Sequence, residues 1–527
     1  MNNRIYIDIN SELGKRSNII NNIIPYDINS FVNEHRKIGI DLCLAVSSKA
    51  KTYSIIQANA EILKISENNK YIIPIISLYP GIEYDISNID EYLNFLSNSN
   101  AKGISLDMSK LFIFNSTLFE KIFNFANNTR LPIIVDWETI EDKNAFFEVI
   151  KRYDNLKVIV TNVNWSFKKY IFEYMKNNPN IYIGINGFIY QGMIEEVTKL
   201  FSSERLLFSS GYPYYDIGSV KAMIEYSNIS EEDKDNIAYK NALNIFNLKQ
   251  VKKLHYDLKD PVAETVDSGL KLNDNLNFDV IDAHTHYVSN DAQIVDWIGG
   301  GKSIDVLIDS AKKLGISKII TSPMDGLLYD GIIGNTDLKK IIESRNFPIY
   351  GYVTCNPYYD EDIEYAIKEI HNPKNLGLKL YPSKNWYPYD GKLYEEIINE
   401  TANLNKYFLL HGTPEQAEKV LKKYPNLLVL LAHSTQSFEF MDKVINLLEK
   451  YPNLYIDICN RYAINKAIEY LVKNTDSSKI IFGSDSNLLS ESSHLGWLAY
   501  SDIDYMDKKK ILSDNIKKLV KRSVNNE

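Results

Sequence analysis

The sequence predicts an α/β protein built from two tandem (β/α)₈ TIM-barrel domains. Three observations carry that prediction. The chain has 527 residues, twice the roughly 250 that one such barrel needs. It repeats itself at a fixed spacing. Its short apolar runs alternate with amphipathic stretches, the pattern of parallel strands buried beneath helices.

The repeat joins six pairs of segments. RIYIDINSE (4–12) resembles FDVIDAHTH (278–286), AKGISLDM (101–108) resembles NLGLKLYP (375–382), and NLKVIVTN (155–162) resembles NLLVLLAH (426–433). Further on, NPNIYIGI (178–185) resembles YPNLYIDI (451–458), RLLFSSGYP (205–213) resembles KIIFGSDSN (479–487), and KNALNIF (240–246) resembles DNIKKLV (514–520). Positions 8 and 282, 105 and 379, 211 and 485, and 241 and 515 are each 274 apart. Unrelated domains would not hold that register. The copies are assigned to residues 1–248 and 277–527. A polar linker, 249–276, is expected to run over the surface between packed domains.

In the second copy the strands read, in order, FDVIDAHTH, KIITS, PIYGYVTCNP, LGLKLYP, YFLLHG, LLVLLAH, LYIDICN and KIIFGSD. Between the first two, Ile304, Leu307, Ile308, Ala311 and Leu314 recur at helical spacing, and Gly315 stops the helix. Eight such units fit a closed barrel better than an open, doubly wound sheet.

Composition narrows the function. Hydrophobic residues at 45% and charged residues at 24% exclude disorder as the main state. A net charge of −9 argues against nucleic acid as the main partner, leaving a small-molecule substrate. The N-terminus lacks a signal-like pattern and no apolar run is long enough to span a bilayer, so a cytoplasmic protein with no membrane partner is expected. The three cysteines, Cys43, Cys355 and Cys459, form no disulfide framework, and Cys355 and Cys459, near strand ends, read as structural thiols.

Polar residues collect at the strand ends. The first strand of the second copy ends in Asp282, His284 and His286. The fourth carries Lys379, the fifth ends at His411, the sixth at His433 and the eighth at Asp485. Side chains two apart on a strand share a face, so His284 and His286 point together. Barrel active sites lie at these C-terminal strand ends. Imidazoles and a carboxylate converging there suit a divalent metal, zinc above all, with an open position for a water made acidic by the ion. Asp485 can both touch the metal and take the water's proton. Asp282 reads as a bracing acceptor behind the histidines. Lys379 reads as a substrate-binding or salt-bridged cation, and Arg461 either as a carboxylate or phosphate partner or as a solvated arginine. Trp386, Tyr387 and Tyr389 could wall the pocket, His494 could line its entrance, and Gly299–Gly301 suits a mobile lid rather than a phosphate loop.

DAHTH, the histidines ending strands five and six, and GSD together resemble the amidohydrolase superfamily, in the branch related to aminocarboxymuconate-semialdehyde decarboxylase. The resemblance spans the second copy. It implies a metal-dependent hydrolase-type barrel holding one ion through His284, His286, His411 and Asp485, with His433 catalytic. A carboxylated Lys379 would bridge a second ion. The implied reaction is hydrolysis of a C–N or C–O bond. The alternative is a lyase, decarboxylating or hydrating an unsaturated or aromatic acid.

The first copy has lost this set. His284 corresponds to Asn10, His286 to Glu12, Lys379 to Ser105, His411 to Asp136, His433 to Asn162 and Asp485 to Gly211; Asp8 alone survives. The first barrel is therefore read as catalytically silent. Asp8, Glu12 and Asp136 leave an oxygen-rich set of the kind that suits Mg²⁺ or Ca²⁺. The retained register suggests a fused pseudo-dimer, with the silent copy standing in for an ancestral second subunit.

Overall fold

The computed structural model describes residues 4–16, 24–108, 114–254, 256, 260–289, 302–382, 387–389 and 391–525. Two compact units divide the chain, Met1–Leu258 and Lys259–Glu527.

Each unit holds an eight-stranded parallel sheet in sequential order. In the first unit the strands are β1 (Ile7–Leu13), β2 (Leu42–Ser47), β3 (Ile72–Leu78), β4 (Gly103–Leu106), β5 (Ile133–Asp136), β6 (Val158–Thr161), β7 (Ile181–Gly184) and β8 (Leu206–Leu207). In the second they are β9 (Ile281–Tyr287), β10 (Lys318–Pro323), β11 (Ile349–Val353), β12 (Asn375–Leu380), β13 (Tyr407–Leu410), β14 (Leu428–Leu431), β15 (Leu454–Asp457) and β16 (Ile480–Ile481). Backbone hydrogen bonds bring the last strand against the first. Ile9 N donates to Phe208 O (3.2 Å) in one unit and Ala283 N to Phe482 O (3.0 Å) in the other. These are two (β/α)₈ barrels.

The register survives in three dimensions. β1 and β9 begin 274 residues apart, as do β8 and β16. One core gathers Ile7, Leu44, Ile134, Ala242 and Ile245; the other gathers Ile281, Ile320, Leu409, Ile516 and Leu519. Helix Ile304–Leu314 buries the five residues that spacing assigned to its inner face, and Gly315 caps it at φ 77°. That left-handed conformation is one glycine reaches without steric cost.

One stretch expected to be linker folds instead. Residues Pro261–Asp267 form a helix, capped by Asp260 and with Pro261 in its first turn. Burial of Val262, Ala263 and Val266 explains why it docks rather than running free. Among the described residues no helix is long and apolar enough to cross a membrane.

Candidate metal centre

The first strand of each barrel carries a bulge. Between its pairings with Ile319 and Thr321, β9 spends three residues, Asp282 to Thr285, where β10 spends two; β1 does the same between Asp8 and Ser11. A bulge re-aims side chains at a rim. Beyond it, the closing seam continues through Asp485 N donating to His284 O (2.8 Å) and Asn487 N to His286 O (3.2 Å). That seam sets Asp485 beside both histidines.

His284 Nε2 and His286 Nε2 lie 3.1 Å apart. Asp485 Oδ1 is 3.3 Å from the second nitrogen and 3.7 Å from the first. Lys379 Nζ stands 3.3 Å from His284 Nε2. The His433 ring centre is 5.2 Å from that of His284 and 4.8 Å from that of His411. His284, His286, Lys379 and Asp485 are buried, while His411 and His433 are half-buried and face the opening. Tyr381 packs on His411 at 4.7 Å between ring centres, and Tyr389 donates to the His411 carbonyl (2.9 Å).

The second nitrogen of His284 and of His286 is occupied. His284 Nδ1 donates to Asp457 Oδ2 (2.8 Å), and His286 Nδ1 is hydrogen-bonded to Ser322 Oγ (2.7 Å). Such partners fix which ring nitrogen is left with its lone pair. Two facing nitrogens at 3.1 Å can share at most one proton. A nearby carboxylate oxygen adds a third electron pair. A divalent cation satisfies all three donors, so the residues present fit a metal, with His411 on the open side.

Burial, reinforced by Lys379, drives His284 well below the usual histidine value, and burial also lowers His286, His411 and His433. All four stay neutral, the form that ligates metals. Burial by itself would raise Asp485, but the His286 hydrogen bond and the neighbouring imidazoles of His433 and His284 outweigh it and hold the carboxylate ionised. Burial lowers Lys379.

Sequence reasoning missed Asp457, the central brace. Its carboxylate holds His284, accepts from the His433 backbone N–H (2.8 Å), and accepts from Cys459 Sγ (3.0 Å). A lone acid inside the apolar run LYIDI was the available signal. Cys459 belongs to the cluster too, 3.2 Å from His433 Nδ1 and 3.3 Å from His284 Nδ1.

Asp282 braces something other than an imidazole. It accepts from the backbone N–H groups of His284 and Ser484 (3.1 Å each) and from the Ser484 hydroxyl, riveting β9 to the segment after β16. Asp8 grips Ser210 in the same way in the first barrel. That explains why this aspartate alone persists in both copies: its task is closure of the sheet. Arg461 is exposed and stacks over Tyr462 (5.2 Å) rather than entering the cluster. His494 is buried, bonded to Ser490 O and to the Asn460 backbone, away from any entrance role. Tyr387 is buried and accepts from Tyr381 N, and Cys355 is buried. Trp386 and Gly299–Gly301 lie outside the described residues.

In the first barrel a hydrogen-bonded chain replaces the cluster. Asn162 Nδ2 donates to Asp136 Oδ2 (2.5 Å), Asn186 donates to Asn162 Oδ1, and Ser209 Oγ donates to Asn186 Oδ1 (2.5 Å). Strand pairing makes these the counterparts of His411, His433, Cys459 and Gly483. The oxygen-rich set expected of Asp8, Glu12 and Asp136 is not assembled: Glu12 is held by Arg16 (3.1 Å) and Lys51 (3.0 Å), and Asp8 by Ser11, His35 and Ser210. Glu12 is balanced by two cations, and among the described residues these three carboxylates are not grouped within reach of one ion.

The second unit is thus a (β/α)₈ barrel with a donor set that fits a metal at the C-terminal ends of its strands. Residues 281–522 match the amidohydrolase family profile, so this unit is an amidohydrolase-superfamily domain. Among curated proteins no match is found. Solved structures that resemble the chain include 2,6-dihydroxybenzoate decarboxylase from Rhizobium (16% identity, 46% of this chain, 99% of that one, TM-score 0.37). Another is a dihydroxybenzoic acid decarboxylase from a Polaromonas species with bound manganese (14%, 46%, 97%, 0.37). A third is a 5-carboxyvanillate decarboxylase from Sphingomonas paucimobilis (12%, 46%, 99%, 0.38).

Proposed function

We propose that the second barrel is a divalent-metal lyase acting on a small carboxylic acid, with His284, His286, His411 and Asp485 holding one ion. The observation that carries this reading is the buried ammonium of Lys379, 3.3 Å from a ligand imidazole. An ion of charge +2, with a protonated Lys379 beside it, outweighs the carboxylates of Asp485 and Asp457. A buried site with that excess of positive charge selects an anionic substrate.

When bound, the ion supplies Lewis-acid polarisation of a substrate oxygen. Lys379 pairs with the substrate carboxylate. Tyr381, packed on His411, and Tyr389, bonded to the His411 carbonyl, wall the site on that side. In decarboxylation the bond between ring or alkene carbon and carboxyl carbon breaks, CO₂ leaves, and a proton must reach that carbon. His433, half-exposed and braced through its backbone by Asp457, is placed to deliver it and to be recharged from solvent.

Hydrolysis of a C–N or C–O bond is the second reading. It is favoured by the ionised Asp485 carboxylate, able to accept a proton from water. Metal-loaded protein offered aromatic and unsaturated carboxylates separates the two. The lyase reading expects CO₂ release, or a hydrated product, that vanishes in His433→Asn. Turnover of lactones or amides with none of any acid would overturn it in favour of hydrolysis.

A further inference from the structure

The mouth of the silent barrel is not filled in. A cavity of about 350 Å³ remains at the C-terminal ends of its strands, lined in part by Asn10, Ser77, Ser105, Asp136, Tyr214 and Tyr215. That size falls in the range of small-molecule sites, which are concave and carry a few placed polar groups. The positions of His284, His433, Lys379 and Asp485 are here the uncharged Asn10, Asn162, Ser105 and Gly211, while those of His286 and His411 are Glu12 and Asp136.

The charged lining groups are already answered. Glu12 is paired with Arg16 and Lys51. Asp136 accepts from Asn162 and from the Glu138 N–H (2.9 Å), and Asp107 is engaged as well. The groups left open are neutral. Among the described residues no hydrogen bond is made by the side chains of Asn10, Ser77 or Ser105. Ser77 is only 3% exposed, so its hydroxyl has the cavity as its one outlet. Each of the three opens onto the cavity, where a ligand hydroxyl can pair with it.

We propose that this cavity is a binding site for a neutral polyhydroxylated small molecule, a monosaccharide or cyclitol. An amide and two hydroxyls each donate and accept, which matches the paired donor and acceptor character of a sugar hydroxyl. Tyr214 and Tyr215 offer aromatic surface for the C–H face of such a ring. A carboxylate would meet Asp136 and Asp107, and a simple ammonium would leave the three open groups unmet. The site is separate from the metal centre and does not depend on the reaction catalysed there.

Calorimetric titration of the full-length protein with D-glucose, D-ribose and myo-inositol tests this. Saturable binding of at least one is expected. It should weaken about tenfold or more in Ser77→Ala, the effect of losing one to two hydrogen bonds, disappear in Ser105→Phe, which fills the cavity, and persist in His284→Ala. Thermal melts of each variant check folding; if Ser105→Phe does not fold, Ser77→Ala decides. Absence of binding by all three probes, binding unmoved by Ser77→Ala, binding lost in a folded His284→Ala, or preference for choline or acetate would each overturn the proposal.

Discussion

Asp457 and Ser322 decide which nitrogen each ligand histidine turns toward the centre. Removing such a brace typically lowers metal affinity tenfold to a hundredfold. Asp457→Asn is expected to fold and to lose metal affinity by about that factor, read by competition with a chelating dye. Backbone conformation marks two further residues. His433 and Asp485 sit at φ 58° and 56°, in the left-handed region, and their counterparts Asn162 and Gly211 share it at 55° and 71°. Asn and Gly are the residues that adopt it most easily. Where the site was lost, the chain relaxed to those residues; where it was kept, the strain was retained, at a cost of order 1 kcal/mol each. His433→Asn should therefore melt within a few degrees of the wild type yet lose about 10²–10⁴ in kcat, the range for a proton-transfer group. The histidines and Asp485 were legible in the sequence because each ends an apolar strand. Asp457 and Ser322 were not. An acid or a hydroxyl beside a strand end has many uses, and only the ring nitrogen it meets distinguishes them.

At the scale of elements, β15 and the segment after β16 trade volume. The first barrel has Gly184 on β7 and Ser209 just after β8; the second has Asp457 on β15 and Gly483 just after β16. A Cβ on Gly184 would lie 2.7 Å from Ser209 Oγ, and one on Gly483 would lie 2.7 Å from His284 Cβ and 3.4 Å from Asp457 Cβ. In the first barrel the space goes to Ser209, and in the second to Asp457 and His284. Helix Glu491–Tyr500 adds a second device behind the centre. Burial and the neighbouring Asp282 push the Glu491 carboxyl well above the usual value of 4.5, so it stays protonated beside Asp282. The folded protein then holds a proton that the unfolded chain releases above pH 4.5, and stability falls as pH rises from there. In Glu491→Gln that decline should flatten. Urea midpoints from pH 5 to 8 measure it, and parallel declines in the two proteins would contradict it. Strand positions were legible from apolar runs. The β9 bulge was not, because it exists only relative to the count on β10.

At the scale of the molecule, the tandem barrels followed from one number, the spacing of 274, and the structure keeps it from β1 and β9 to the closing helices. What the spacing could not convey was the fate of the first mouth. Losing four histidines reads as erasure, whereas a hydrogen-bonded chain of Asp136, Asn162, Asn186 and Ser209 stands there instead. The retained register also predicts that the first barrel was kept as a stand-in for a second subunit. Residues 259–527 expressed alone should then be less stable or less active than the full chain, and a stable, fully active fragment would contradict that role. The central claim is that one barrel binds a metal and its twin does not. Its most direct test is the metal content of the purified full-length protein, by elemental analysis, beside His284→Ala. About one divalent ion per chain is expected in the wild type and almost none in the variant. An ion-free wild type, or an ion that survives His284→Ala undiminished, would contradict it.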